Sequence, residues 1–226
     1  MIELENVCYA YGKEIALRNV NLKVSKGESL VIKGPNGCGK STLIKLLNGI
    51  IFPTMGKYTY KGHEINEKSL KDNKFAKWFH QQMGYVFQNA DNQLFCASVE
   101  EEIAFGPSQM GLSQEEVIQR TKDCMNLFGL EKLSKRPPYH LSGGEKRKVS
   151  LACILSMNPE VLVLDEPLAG LDEKTQAMLI SFLKSFHNAG KTLIIITHNN
   201  ELANELADRI VIMKESHDFN TEFSLK

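Results

Sequence analysis

The stretch GPNGCGKST, residues 34–42, constrains this chain more than any other. It satisfies G-x-x-x-x-G-K-[ST] and lies between the apolar run SLVIKG and the amphipathic run KSTLIKLLNGI. That strand-then-helix setting is the one in which such a loop wraps a phosphate chain. Gly34, Gly37 and Gly39 permit a tight loop whose N–H groups turn inward, and Lys40 reaches the β and γ phosphates. The Ser41 hydroxyl is the candidate Mg²⁺ ligand, and Pro35, Asn36, Cys38 and Thr42 complete the candidate nucleotide loop. A glycine-rich turn before a helix is the competing reading, and the two correct flanks weigh against it. Cys38 reads as a small loop residue rather than a reactive one.

A loop of this kind needs an α/β body behind it. The 226 residues predict one such body with an inserted or appended lobe. Lys plus Arg equals Asp plus Glu at 27 each, so no net field draws the chain to nucleic acid or anionic lipid. The five cysteines are odd in number and lack paired metal-ligand spacing, which predicts free thiols in a reducing cytosol. The start MIELENVCYA has no basic or apolar leader, and runs such as VLVL and LIII fall far short of the ~18 residues of a membrane span. The expectation is a chain soluble by itself.

Residues 1–34 read as strands, with VNLKV alternating at period two. KSTLIKLLNGI follows as a helix with Leu43, Leu46 and Leu47 along one stripe and Gly49 as its stop. The stretch from Phe52 to Gln82 reads as turn-rich and polar with weak strands near KYTY, and MGYVFQ as another strand. From about residue 98 to 158 the character is helical, and Ser98 with Glu101 and Ser113 with Glu116 have capping-box spacing. Then β/α alternation resumes: EVLVLDEP, a helix with Leu179, Phe182, Leu183 and Phe186 on one face, KTLIIITH, a short helix, and DRIVIMK. Short, wholly apolar strands between helices predict a parallel sheet covered on both faces.

VLVLDEP delivers Asp165 and Glu166 to a strand's carboxyl end, where open α/β sheets bind ligands. Asp165 is the second candidate for Mg²⁺, directly or through water. Glu166 is then free to polarise an attacking water, which favours hydrolysis over nucleotide sensing. An Asp-Glu pair that merely caps a turn is the alternative, and the phosphate loop tips the balance. His198 ends LIIIT at the same sheet edge, either as a hydrogen-bonding residue or as a γ-phosphate contact. Tyr11 either stacks on an adenine or simply packs.

HLSGGEKRK, residues 140–148, offers a second anion site at a helix start. Ser142 and Glu145 are spaced as a capping box, which leaves the adjacent Gly143 and Gly144 unexplained. Two glycines there suggest a close approach to the backbone. Since the chain already has one phosphate site, the second is best used on the ATP of another copy.

GPNGCGKST, LSGGE, VLVLDEP, AGLD and TH, in that order, resemble an ATP-binding-cassette (ABC) transporter ATPase over about residues 2–213. The resemblance implies a P-loop NTPase fold with a mixed sheet core, an antiparallel β subdomain and an inserted helical subdomain. It implies a single ABC domain, with 1–87 and 159–226 as core and 88–158 as the helical signature subdomain. It also implies Mg²⁺ and ATP held between two head-to-tail copies or between paralogues. In that arrangement Tyr11 stacks on adenine, Gln88 senses Mg²⁺ and the γ phosphate, and His198 steadies the transition state. Ser142, Gly143 and Gly144 act in trans, with Glu145 completing the cap of that nucleotide-binding stretch, and Asp172 bridges the subunits. Glu145 stands where the family commonly has glutamine.

VFQNADNQLF followed by ASVEEEIAFGP looks like the energy-coupling-factor branch, including the cobalt- and nickel-uptake type, although Ala90 replaces the usual proline. That likeness implies uptake of a vitamin or transition-metal ion. It makes residues 88–97 the surface for an integral-membrane partner, against the alternative of an exposed polar loop, and puts the protein at the cytoplasmic face of a bacterial or archaeal membrane. Members of the branch usually continue into a C-terminal dimerisation element, whereas this sequence stops at KESHDFNTEFSLK; a weak resting dimer is the expectation, and a truncated chain, a minimal family member or a partner that supplies the missing contacts all fit. A conventional binding-protein-dependent importer, a soluble regulatory ABC protein and a nucleotide-binding module without turnover are the competing readings.

Overall fold

The computed structural model describes residues 1–86 and 94–224, with side chains through residue 219. Two sheets carry it. β1 (Ile2–Tyr11), β2 (Glu14–Val24), β4 (Met55–Tyr60) and β5 (His63–Glu64) form an antiparallel sheet in the order β2-β1-β4-β5. The second sheet runs β10-β9-β3-β8-β7-β6. Its members are β3 (Ser29–Lys33), β6 (Met83–Val86), β7 (Val161–Asp165), β8 (Thr192–Ile196), β9 (Arg209–Met213) and β10 (Phe219–Ser224). All neighbouring pairs in it are parallel except β10 with β9.

Because side chains alternate across a strand, the mainly apolar β3, β7 and β8 feed two cores at once. Leu30, Ile32, Val161, Val163, Ile194 and Ile196 pack toward the antiparallel sheet and α1 (Lys40–Leu47). Val31, Leu162, Leu164, Leu193 and Ile195 face the opposite way, into one apolar cluster with the helices of the second face. Those helices are α3 (Val99–Gln109), α4 (Gln114–Phe128), α5 (Gly143–Ser156), α6 (Glu173–Asn188) and α7 (Asn200–Leu206). The sheet is thus mixed at one edge and covered on both faces, the P-loop NTPase fold that the family resemblance implies.

Three local expectations need correction. The stretch 52–82 contains a helix, α2 (Asn73–Gln82), whose polar composition masks a helical spacing of aromatics at Phe75, Trp78 and Phe79. Asp72 Oδ1 caps it by accepting the Phe75 N–H at 2.8 Å, and Phe79 is buried with its ring 5.7 Å from that of Tyr60. At α3 the Ser98 hydroxyl caps the helix as expected, but Glu101 does not return the bond. The acid next to it, buried Glu102, instead accepts the N–H groups of Phe95 and Cys96 at 2.8 and 2.6 Å. The Ser113–Glu116 box is complete. Beyond DRIVIMK, β10 adds an antiparallel strand that the apolar pattern does not announce.

Gly84 shows how closely the second sheet and α5 approach. A Cβ built there would lie 2.7 Å from both Ile154 Cγ2 and Pro159 Cγ. Gly84→Ala is expected to lower unfolding stability by about 1–3 kcal/mol through overpacking, read as a lower urea midpoint at unchanged m-value.

Candidate functional site

The phosphate loop leaves β3 and enters α1, and its path is one that glycine allows. Gly34 has φ 153°, and a Cβ on it would lie 2.5 Å from the Met213 carbonyl oxygen. Gly39 has φ 104°, and a Cβ there would collide with the Ala16 carbonyl oxygen. Lys40 Nζ donates to the carbonyls of Gly34 and Pro35, both at 2.7 Å, which holds the ammonium across the mouth of its own loop.

The start of α1 differs from every other α-helix start among the described residues. α2 to α7 each begin with a serine, aspartate or asparagine side chain that accepts an N–H of the first turn. Gly39 at the start of α1 gives no such cap, and the first turn holds no acidic residue. The free N–H groups and the positive end of the helix therefore face a cleft of about 1260 Å³. Asn36, Gly37, Gly39, Lys40, Ser41 and Thr42 line that cleft, together with Tyr11, Asp165, Glu166 and His198. Pro35 and Cys38 are in the loop itself. Cys38 is buried under it, as a small structural residue would be.

Asp165 is buried at the carboxyl end of β7. Burial, and then the neighbouring Glu166 charge, push its carboxyl above the usual range, against the opposing pull of Lys40, Arg147 and a hydrogen bond from Ser41. A buried carboxylate bonded to a hydroxyl, its charge disfavoured by burial and by Glu166, suits a hard divalent cation, so Ser41 and Asp165 fit Mg²⁺. Bound there, the ion would offset the charge of the phosphate oxygens. Gln88, the remaining Mg²⁺ candidate, lies outside the described residues.

Glu166 adopts φ 45°, a left-handed conformation that costs a non-glycine residue about 1–2 kcal/mol. Neighbouring groups hold it there. Its N–H donates to the Ile196 carbonyl at 2.9 Å, and its carboxylate accepts from Thr197 Oγ1 at 3.1 Å and from the His198 N–H at 2.9 Å. His198 Nε2 is 4.0 Å from the same carboxylate, so the two residues form one unit at the ends of β7 and β8. Tyr11 is 46 % exposed at the end of β1, its ring edge-on to Tyr9 at 5.0 Å, with an open side toward the cleft.

The signature residues are elsewhere. Ser142 begins α5 in a complete capping box with Glu145, and neither residue lines the nucleotide cleft. Gly143 and Gly144 do not line it either, and both have ordinary negative φ. A Cβ on Gly143 would meet nothing within 4 Å, and one on Gly144 only the Gly170 oxygen at 3.5 Å. Asp172 caps α6 through Thr175 and pairs with Lys148 Nζ at 3.1 Å.

Two residues escape sequence reading. Arg147, buried on α5, donates to the carbonyls of Asp165 and Glu166 at 3.1 and 3.3 Å, tying the signature helix to the end of β7. The basic run EKRK makes it look like a solvated charge, and only its helical phase on α5, on the face of the buried Leu151 and Ile154, points inward. Thr197 braces Glu166, and its one signal is its place directly before His198.

Comparison with known proteins agrees with this geometry. Residues 17–169 match the family model described as ABC transporter. The nickel import ATP-binding protein LarO of Lactiplantibacillus plantarum is 43 % identical over 224 residues, spanning 99 % of this chain and 93 % of that one. The energy-coupling factor transporter ATP-binding protein EcfA of Methanococcus maripaludis is 40 % identical over 216 residues, 95 % of this chain and 76 % of that one. The dimeric post-hydrolysis structure of the ATP-binding cassette MJ0796, bound to ADP and Pi, superposes with a TM-score of 0.88 at 31 % identity, covering 100 % of this chain and 99 % of that one. The chain belongs to the ABC transporter family, as an ATP-binding subunit that uses ATP with Mg²⁺ and hydrolyses it.

Proposed function

We propose that this chain powers uptake of a vitamin or transition-metal ion of the energy-coupling-factor type, working as a head-to-tail dimer on a separate integral-membrane partner. Each ATP is held by the Lys40 loop of one copy and capped by Ser142, Gly143 and Gly144 of the other. The observation that carries this reading is the pair of glycines. Nothing in their own chain requires a missing side chain at Gly143, and the open space in front of it leaves room for a ligand brought from outside. In the same reading Tyr11 stacks on adenine, Ser41 and Asp165 hold Mg²⁺ with Gln88, Glu166 polarises the water and His198 steadies the phosphate. Asp172 lies across the dimer seam.

The names of LarO and EcfA support the uptake class. The described part of the 88–97 segment supports a membrane partner. Phe95 is 68 % exposed and meets Phe105 edge-on at 5.0 Å, beside an apolar groove of about 380 Å³ that also takes in Met110, Cys153 and Met157. Residues 88–93 lie outside the described residues. No helix of the described residues is long and apolar enough to cross a membrane. We place the protein at the cytoplasmic face through this partner, with no nucleic acid involved.

Gly143→Leu is the most discriminating variant, because it adds bulk where the chain itself has room. It should keep its melting temperature and its ATP affinity, while phosphate release falls at least about 100-fold. Normal turnover would remove the trans role. Glu166→Gln is expected to slow hydrolysis about 10²–10⁴-fold and to accumulate an ATP-bound dimer on size-exclusion chromatography. Lys40→Ala should instead lose nucleotide binding. Purification of the intact membrane complex is expected to bring down a small substrate-binding membrane protein. A soluble binding protein in its place would favour the conventional importer.

A further inference from the structure

The hairpin between β9 and β10 holds a residue that none of the nucleotide motifs includes. Its loop, residues 214–218, closes with the Lys214 N–H on the Asp218 carbonyl at 2.9 Å and the His217 N–H on the Lys214 carbonyl at 3.0 Å. His217 takes φ 67°, the left-handed position at which such a loop ordinarily uses glycine. A histidine there costs backbone energy that glycine would not, so the side chain needs a reason.

The ring gives one. His217 lines the same cleft as the phosphate loop; its Nδ1 is enclosed, which leaves the Nε2 edge of the ring to face the cleft. The hairpin is anchored at that spot, because the His217 carbonyl accepts the Arg18 N–H at 2.8 Å. Arg18 is two residues beyond Ala16, whose carbonyl closes against Gly39.

The strand order fixes which part of a nucleotide this ring can meet. β9 lies on one side of β3, while β8 and β7, which carry His198, Asp165 and Glu166, lie on the other. The γ-phosphate machinery is therefore on the far side of the loop from the hairpin. Arg18, bonded to the hairpin, lies on its side and belongs to the same β1–β2 pair as Tyr11 and Ile15, which also line the cleft.

We infer that His217 is a nucleotide-contact residue, its imidazole hydrogen-bonding the sugar and α-phosphate portion of the bound nucleotide from the C-terminal hairpin. This rests on the reading of the cleft as the ATP site. It predicts a contact common to ATP and ADP, because both carry that portion.

The test compares His217→Gly with the unaltered chain. Glycine relieves the left-handed strain, so the variant should melt no lower than the parent. It should nonetheless bind ATP and ADP about five-fold more weakly, by the same factor for each, as expected for one lost hydrogen bond. On the unaltered chain labelled with ¹⁵N-histidine, the His217 ring nitrogen resonances should shift when ADP is added. Unchanged affinity in His217→Gly, a loss confined to ATP, or ring resonances that ignore ADP would each overturn the inference. Lys40→Ala separates the two levels. If it loses nucleotide while His217→Gly does not, the site stands and this contact falls. If neither variant alters binding, both fall.

Discussion

The uncapped start of α1 is the constraint on which the rest of the structure depends. A helix beginning without an acceptor leaves several N–H groups unsatisfied, and burying them without a partner would cost about 1–3 kcal/mol each. This chain does not bury them. It opens them onto a cleft, places Lys40 across the opening and sets the Ser41–Asp165 pair at one side. α1 itself cannot shift, because Thr42, Leu43, Ile44, Leu46 and Leu47 are all buried between the two sheets. The demand for an anion is thus built into a fixed element.

The hydrolytic end of the cleft depends on the opposite kind of order, a set of polar groups that satisfy one another. Glu166 keeps its left-handed backbone because β7 and β8 are in register there, Asp165 opposite Ile196, so the next residues meet as donor and acceptor. Arg147 adds a tie from α5 to the same two carbonyls. A buried guanidinium is expensive to desolvate, so its bonds to Asp165 and Glu166 make the position of α5 and the position of the carboxylates one variable. A rotation of the signature helix would be felt at Glu166 without an intervening loop.

Legibility in the sequence follows how local each feature is. The phosphate loop, the β7 end and the Ser142 and Ser113 capping boxes are read from spacings of a few residues, and the elements stand where those spacings predict them. Glu102 shows the limit of that method. The capping spacing selects Glu101, yet the buried acid is its neighbour, because the path of residues 95–96 decides which carboxylate has N–H groups to accept. α2 hides behind lysines, asparagine and glutamines, since its helical stripe is three aromatics that matter only once Tyr60 and His63 are beside them. Arg147 and His217 are invisible for the same reason. Each is placed by a partner more than 15 residues away, across a β7 end or a β2 edge that no local pattern specifies.

The two anion sites of the chain are unequal, and the inequality orders events. α1 offers uncapped N–H groups and a lysine engaged only with carbonyls of its own loop, so a phosphate chain meets donors there and no competing anion. α5 is already satisfied: Ser142 accepts the Glu145 N–H at 3.3 Å, and Glu145 accepts the Ser142 N–H and hydroxyl at 2.8 and 2.9 Å. Those bonds, from the Ser142 backbone first and its side chain second, hold the Glu145 carboxyl below its ordinary range and keep it charged. A lone phosphate meets a negative neighbour at that helix and a hydroxyl already in use. On the proposed dimeric reading, the second site therefore acts only on a nucleotide already held by Lys40 and carried in by the other copy. On that reading binding comes before closure, because one helix start is uncapped and the other is capped.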